Sequence, residues 1–550
     1  MKNNTYRIIF LAAMAFASTN VFGVPGNGDA TEFQRGKFSR SSDRIQVEAL
    51  QERQAKLWKI VTKESFDKND EKELKNLIDI GVDINCKNAD GDTPLLYAIK
   101  NERNILAKFL INVRGIDLNA ADTNSNTPLI IASYSNNIEL MRDLLYHICD
   151  DESYVKGFLI ARKNKEKWSK NRLDQYLDRK SRLTPKLREI LNAQNCGKES
   201  ALLVASKHGH MDIVKLLIQY GADINQADWR KITPLAHSVR RGYENVFNCL
   251  IDQGADVNKA DYNEKTPLLL ATLLGDKNMV ACLVDHGADI NKPDNDGDNP
   301  LLVSVKRQFN DIAKYLIENR ADVNKINERG QFPLIIAVDH GDEALVRYLV
   351  EHGANVNQEN NGENTPLLYA IQDSNETLVK YLIEHGANIN QERSDEVTPL
   401  CVAAYVGNER IVRYLIEKGA DINKGAPLHS AASNGHYNIV KYLVECGVNI
   451  DKTVNNVSTP LYIAAQGGYY NIVKYLVEHN ADINKKNDQG ATPLCIAAYV
   501  GHEDIVSYFI KLPKIDIQAK TNDGLTALGA AKAGHHSNII DMLKKVGATD

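Results

Sequence analysis

At 550 residues the chain is too long for one globular core, which stops growing at about 250 to 300 residues, so it is either divided or repetitive. A net charge of −5 with 25% charged residues describes an ordinary soluble surface and selects no polyanionic partner for the chain as a whole. Beyond the first residues no stretch is long and apolar enough for a membrane span.

Lys2 and Arg7 precede an apolar run at 8–17, IIFLAAMAFA, and the following STNVFGVPG offers small residues for cleavage after Ala17 or Gly23. Residues 1–23 thus read as a secretory signal peptide, and export is expected, to the periplasm, the medium or a host cell. Residues 24–53 read as a polar linker or helix. Over 54–92, Leu74, Leu77, Ile78 and Gly81 mark an outer helix and its stop, with an irregular inner helix at 55–63; together they form a capping repeat.

A strict period follows. Pro234, Pro267, Pro300, Pro333, Pro366 and Pro399 stand 33 residues apart, as do Pro427, Pro460 and Pro493. Most sit in Thr-Pro-Leu, as at Thr93, Thr127, Thr233, Thr266, Thr365, Thr398, Thr459 and Thr492. Threonine at the N-cap accepts an unpaired backbone N–H, and proline at the first helical position gives up an N–H that had no partner. A short inner helix therefore starts at each site. In one unit Leu400, Ala403 and Ala404 give that helix its apolar face; Ile411, Val412, Leu415 and Ile416 form the stripe of an outer helix stopped by Gly419. One such pair cannot bury its apolar face alone, so the pairs must stack, and thirteen units follow from Thr93 across 93–149 and 191–550.

The recurring TPLxxAA…G…IVxYLIExGADIN resembles the ankyrin repeat family over roughly residues 54 to 550. The resemblance implies an all-α repeat solenoid, a curved superhelical stack of helix pairs with β-hairpin fingers between repeats, that binds proteins through finger tips and the concave inner-helix face. The chain departs from the family's T-P-L-H, since Leu96, Ile130, Leu269, Leu368, Cys401, Tyr462 and Cys495 replace the His; only Ala426-Pro427-Leu428-His429 keeps it. Apolar packing is expected to substitute.

The period fails twice. From Pro128 to Ala201 the step is 73 residues, which assigns 150–190 to an insertion. Residues 156–188 carry twelve Lys or Arg against three acidic residues, interleaved with Phe158, Trp168 and Tyr176. Lys163, Lys167, Trp168, Lys170 and Arg172 would be the contacts of a basic docking element for an acidic partner, an anionic membrane or nucleic acid; a solvated helical excursion is the favoured alternative. From Pro399 to Pro427 the step is only 28, because Lys424 runs almost directly into Gly425. The missing residues are a finger tip, so a gap in the row of fingers is expected there.

Tyr315, Tyr348, Tyr381, Tyr414, Tyr442, Tyr475 and Tyr508 recur on the outer helices and read as packing residues, with Lys314–Glu318, Lys380–Glu384 and Lys474–Glu478 as i,i+4 pairs beside them. The finger tips have less core to join. Trp229 and Tyr262 occupy the same tip site one repeat apart, beside Arg230 and Lys231, and compose a candidate hot spot unless the rings fold onto their own hairpins. Arg240, Arg241, Lys306 and Arg307 add a candidate concave basic patch, and Tyr134, Tyr405 and Tyr499 share an inner-helix edge.

No catalytic motif occurs, and no cofactor is expected. DNDGDN at 294–299 lacks the glycine position and closing Glu of a calcium loop, and His208 and His210 lie in a repeat turn, so no metal is expected either. Of eight cysteines, Cys249 and Cys282, and likewise Cys401 and Cys495, hold equivalent sites about 10 Å apart in a stack, beyond bridging distance. The function expected is a non-enzymatic, monomeric protein-binding scaffold, with no small-molecule substrate and with nucleic acid disfavoured; the alternative is a scaffold that presents the basic insertion to an anionic membrane or polyanion.

Overall fold

The structure, a computed structural model, describes residues 40–148, 185–453 and 458–549, with side chains from residue 49. The segment 1–23 and most of 150–190, including Lys163, Lys167, Trp168, Lys170 and Arg172, lie outside the described residues. The chain divides into two compact units, one ending at Asp83 and the other beginning at Ile84.

In the first unit the helix expected at 55–63 is the C-terminal third of one helix, Arg40–Thr62, so the boundary drawn at residue 53 falls inside it. Residues 40–54 hold no Gly or Pro and are rich in Arg, Gln and Glu, which propagate a helix instead of ending one. The expected outer helix is Lys68–Asp79, with Leu74 and Leu77 buried. It starts with a reciprocal cap: the Asp67 carboxylate accepts the N–H groups of Asn69 and Asp70, and the Asp70 carboxylate accepts that of Asp67. Asp70 is buried and pairs with Lys63 at 2.7 Å.

The second unit is an all-α repeat solenoid with thirteen stacked helix pairs among the described residues, from Pro94–Lys100 and Asn104–Ile111 to Ala527–Ala533 and Ser537–Lys545. Inner helices pack on inner helices of the next repeat and outer on outer. The caps form as the sequence requires: Thr233 Oγ1 accepts the Ala236 N–H at 3.1 Å, and Asn299 Oδ1 accepts that of Leu302 at 2.8 Å. Each such cap contributes about 1 kcal/mol. Leu96, Ile130, Leu269, Leu368, Cys401, Tyr462 and Cys495 are all buried in the core, and His429 bonds Ser458 Oγ of the following repeat at 3.0 Å. A second stacking device joins the turns. Gly407, at φ +89°, lies under the His436 ring, and a Cβ there would sit 2.3 Å from His436 Cε1; His436 Nε2 also lies 3.0 Å from the Tyr405 carbonyl.

The segments entering the fingers are stitched by an asparagine ladder. Asn225 Oδ1 accepts the Asp256 N–H at 2.9 Å, and Asn258 Oδ1 accepts that of Asp289 at 2.7 Å. Asn258 Nδ2 donates to the Gly287 carbonyl at 3.1 Å, and Lys259 Nζ to the Asn225 carbonyl at 2.8 Å. The ladder crosses the shortened repeat undisturbed: Asn390 accepts from Asp421, 31 residues on, and Asn423 accepts from Asn449, 26 residues on. Between Asn423 and Pro427 there is no finger turn, only Gly425 at φ +64°, so the expected gap in the row is present. The other described fingers are tight turns, and none of them extends into a strand.

At the insertion the repeats also stack as if contiguous. Pro128–Tyr134 packs on Ala201–His208, and Ile138–Ile148 on Met211–Gln219. The described end of the insertion, Pro185–Leu191, is helical and buries Ile190 and Leu191.

Candidate functional site

Most of the described fingers are held at the base by one side chain, an exception being the finger whose base position is Arg393. From Asn88 through Asp122, Asn195, Asp228, Asp261, Asp294, Asn327 and Asn360, an Asp or Asn oxygen accepts two backbone N–H groups of the turn. At Asp228 these come from Arg230 and Ile232, both at 2.9 Å. The alternating carboxylates of DNDGDN are thus turn chemistry, and among the described residues no cluster of metal-binding side chains occurs.

Neighbouring tips are then joined backbone to backbone. Trp229 N–H donates to the Gly197 carbonyl at 3.2 Å, Tyr262 to Arg230 at 2.9 Å, Asn295 to Asn263 at 3.2 Å and Glu328 to Asp296 at 3.3 Å. Trp229 and Tyr262 therefore stand on adjacent fingers within a bonded run. Trp229 is 58% exposed and Tyr262 67%, so neither ring is folded into its own turn. The Arg230 guanidinium lies 4.6 Å from the centre of the Trp229 ring, and Lys231 Nζ 5.3 Å from that of Tyr262. Such cation–aromatic contacts contribute about 0.5–1 kcal/mol at an exposed site and fix the rings' faces. Lys231 sits at φ +61°, the left-handed position of the turn.

The inner-helix candidates separate. Arg240, Arg241 and Arg307 are exposed at the ends of Pro234–Arg241 and Pro300–Lys306. Lys306 does not belong with them: its Nζ lies 2.8 Å from both oxygens of Asp298, so it braces its own finger. Tyr405 and Tyr499 are exposed edge residues, as expected. Tyr134 is less free, because its hydroxyl donates to Glu199 at 3.0 Å and its ring meets His208 edge-on at 5.3 Å. Burial, reinforced by Glu199, pushes the Tyr134 hydroxyl well above its ordinary pKa. His208 stacks on His210 at 5.8 Å, and burial with the charge of His210 lowers its pKa.

On the outer helices the tyrosines pack, with Tyr381 and Tyr475 buried. Lys474 lies 3.9 Å from Glu478, but Lys314 and Lys380 do not pair with Glu318 and Glu384; they point instead at the Tyr348 and Tyr414 rings of the next repeat, at 5.5 and 5.7 Å. The next repeat offers each lysine a polarisable face that a reading within one helix does not see. The described cysteines are unbridged.

Sequence reasoning missed the finger-base residues and the asparagine ladder, although both recur at the repeat period and were open to the same count that located the prolines.

The ankyrin repeat family model, which describes three repeat copies, matches residues 65–153, 180–261, 258–327, 319–393, 400–487 and 461–550. A plant protein, the serine/threonine-protein kinase VIK of Arabidopsis thaliana, is 47% identical over 47 residues, 8% of this chain and 11% of the kinase. Among solved structures, the human ASB11 ankyrin repeat domain is 27% identical with a TM-score of 0.36, over 40% of this chain and 100% of that one. The repeats, their helix caps and the family match together show that the chain belongs to the ankyrin repeat family.

Proposed function

We propose that this protein is a non-enzymatic, exported scaffold that binds one or more proteins through the fingers of its central repeats and the adjoining inner-helix ends. The observation that carries the reading is the exposed pair Trp229 and Tyr262, held side by side by the Tyr262–Arg230 backbone bond and faced by cations. Trp, Tyr and Arg dominate interface energetics, and rings already fixed on bonded turns lose little freedom on binding. A photo-crosslinking residue at position 263 identifies the partner, and Trp229→Ala with Tyr262→Ala is then compared with the unaltered chain. Loss of affinity of about 30-fold or more is expected, equivalent to about 2 kcal/mol. Unchanged affinity overturns the reading.

Export rests on the basic, apolar and small-residue layout of 1–23. Fusing those residues to a reporter active only outside the cytosol tests it, and a reporter retained inside removes it. A second reading makes 150–190 the functional element, with the repeats as its carrier. What favours it is a net charge of +9 over 156–188, placed between repeats that stack without it. A variant lacking the insertion separates the two, since only the second reading expects it to lose the partner.

A further inference from the structure

The sixth residue after each helix-starting position faces the fingers. Lys100, Lys207 and Lys306 hold that place, and each pairs with the carboxylate two residues before its own helix start: Asp92 at 2.5 Å, Glu199 at 2.6 Å and Asp298 at 2.8 Å. Arg240 is the fourth cation there, and its carboxylate is missing. Ile232 occupies the position instead, buried. Asp261, the counterpart of the Asp122 that Lys100 also reaches at 2.8 Å, accepts the Asn263 and Lys265 N–H groups and forms no ion pair with Arg240, and the other nearby groups are taken or of the wrong sign. Glu199 is held by Lys207 and Tyr134. Asp228 is held by His237 at 3.0 Å and by two backbone N–H groups. Lys265 fills the corresponding place on the next finger. Arg240 is exposed and forms no ion pair among the described residues.

The surroundings extend this pattern. Arg241, Leu274 and Arg307 hold one equivalent place on three successive inner helices, all exposed. The side-chain charges of Arg230 and Lys231 lie over rings and form no ion pair among the described residues. The cationic stretch is short, because the following fingers expose Glu328 and Asp296, the latter 3.6 Å from Arg329, and the following inner helices expose Asp339 and Asp373. Such a border repels a continuous polyanion, which needs many phosphate contacts, but suits a segment with a few carboxylates.

We propose, resting on the reading of this surface as protein-binding, that it receives an acidic protein segment with apolar anchors. One carboxylate of that segment pairs with Arg240, in the place that Asp298 fills for Lys306. Its apolar side chains lie against Trp229, Tyr262 and Leu274. Arg241 and Arg307 attract its flanking charges.

Labelled peptides of repeating Glu-Glu-Phe, Gln-Gln-Phe and Lys-Lys-Phe, titrated at low salt onto the full chain and its Arg240→Glu variant, test this. The acidic peptide is expected to bind at least about tenfold more tightly than the Gln peptide, and Arg240→Glu to transfer the preference to the Lys peptide. Equal binding of the Glu and Gln peptides, or a preference that survives Arg240→Glu, overturns the proposal. An oligouridine or phosphatidylserine vesicles binding more tightly than the acidic peptide, and through Arg240, overturns the choice of a protein segment. If Trp229→Ala abolishes peptide binding while Arg240→Glu changes nothing, protein binding stands and this inference falls. If neither matters, both fall.

Discussion

The N–H of Cys196 donates to the carbonyl of Asn124 at 2.9 Å, the same tip-to-tip bond that joins Trp229 to Gly197, although the first pair is 72 residues apart in sequence and the second 32. The register of the stack therefore counts repeats and ignores the insertion. Asn119 shows the local cost. It holds the ladder position before the insertion, and its Oδ1 is buried without a partner among the described residues, whereas Asn192 resumes the ladder to Asp223 at 2.8 Å. Deleting the forty residues 150–189 brings Ile190 into the place of a ladder donor. The shortened chain is expected to keep its helical circular dichroism and to unfold at the same or a higher urea concentration; loss of a cooperative transition refutes this.

Gly425 allows the shortened repeat to close. It lies at φ +64°, and a Cβ there would approach Cys401 Sγ to 2.6 Å and the Glu396 carbonyl to 2.7 Å. Gly425→Ala should destabilise the array by about 1–3 kcal/mol, from left-handed strain and overpacking together. Inserting a five-residue turn before Ala426 should cost far less. Urea midpoints of the two variants check the order, and the reverse order contradicts the account.

Gly407 and His436 form a coupled pair, since the ring fills the space of the absent side chain. Gly407→Ala is expected to be more harmful in the unaltered chain than in a His436→Ala background. A double-mutant cycle should give a coupling of about 1 kcal/mol, and additivity argues that the ring does not pack there.

His429 gives a pH dependence with a definite sign. Burial lowers its pKa, so the folded chain disfavours the charged ring. The unfolded chain takes up that proton first as pH falls below about 6.5, and the contribution to stability is present above that value and lost on acidification. Burial lowers His237 as well, against the opposing pull of Asp228. Melting temperatures of the unaltered chain should fall more steeply between about pH 7 and 5 than those of His429→Gln. Parallel curves refute the assignment.

What could be read from the sequence was whatever repeats within one helix or at one fixed spacing: the Thr-Pro helix starts, the apolar stripes, the gap before Pro427 and the length of the insertion. The place of Trp229 and Tyr262 on tips with little core beneath left two outcomes open, and the structure shows both rings exposed. The errors fell where a partner lies about 30 residues away or where no signal marks an end. The sequence pairs Lys314 with Glu318, four residues on in its own helix, whereas its charge lies 5.5 Å from the Tyr348 ring of the next repeat and forms no ion pair with Glu318. The sequence places Lys306 in the basic patch with Arg240, Arg241 and Arg307, whereas it pairs with Asp298 eight residues back, before its own helix start. The Arg40–Thr62 helix was cut in two because the repeat pattern begins partway along a stretch that helix propensity alone carries through.

The asparagine ladder meets a repeat of 28 residues and many of 33 with the same bond, and across the step of 73 it loses one rung at Asn119 and resumes at Asn192. Material can thus be added to or removed from the margin of this protein without moving anything downstream. A lineage carrying such a chain can try new margins one repeat at a time, leaving the remainder of its grip intact.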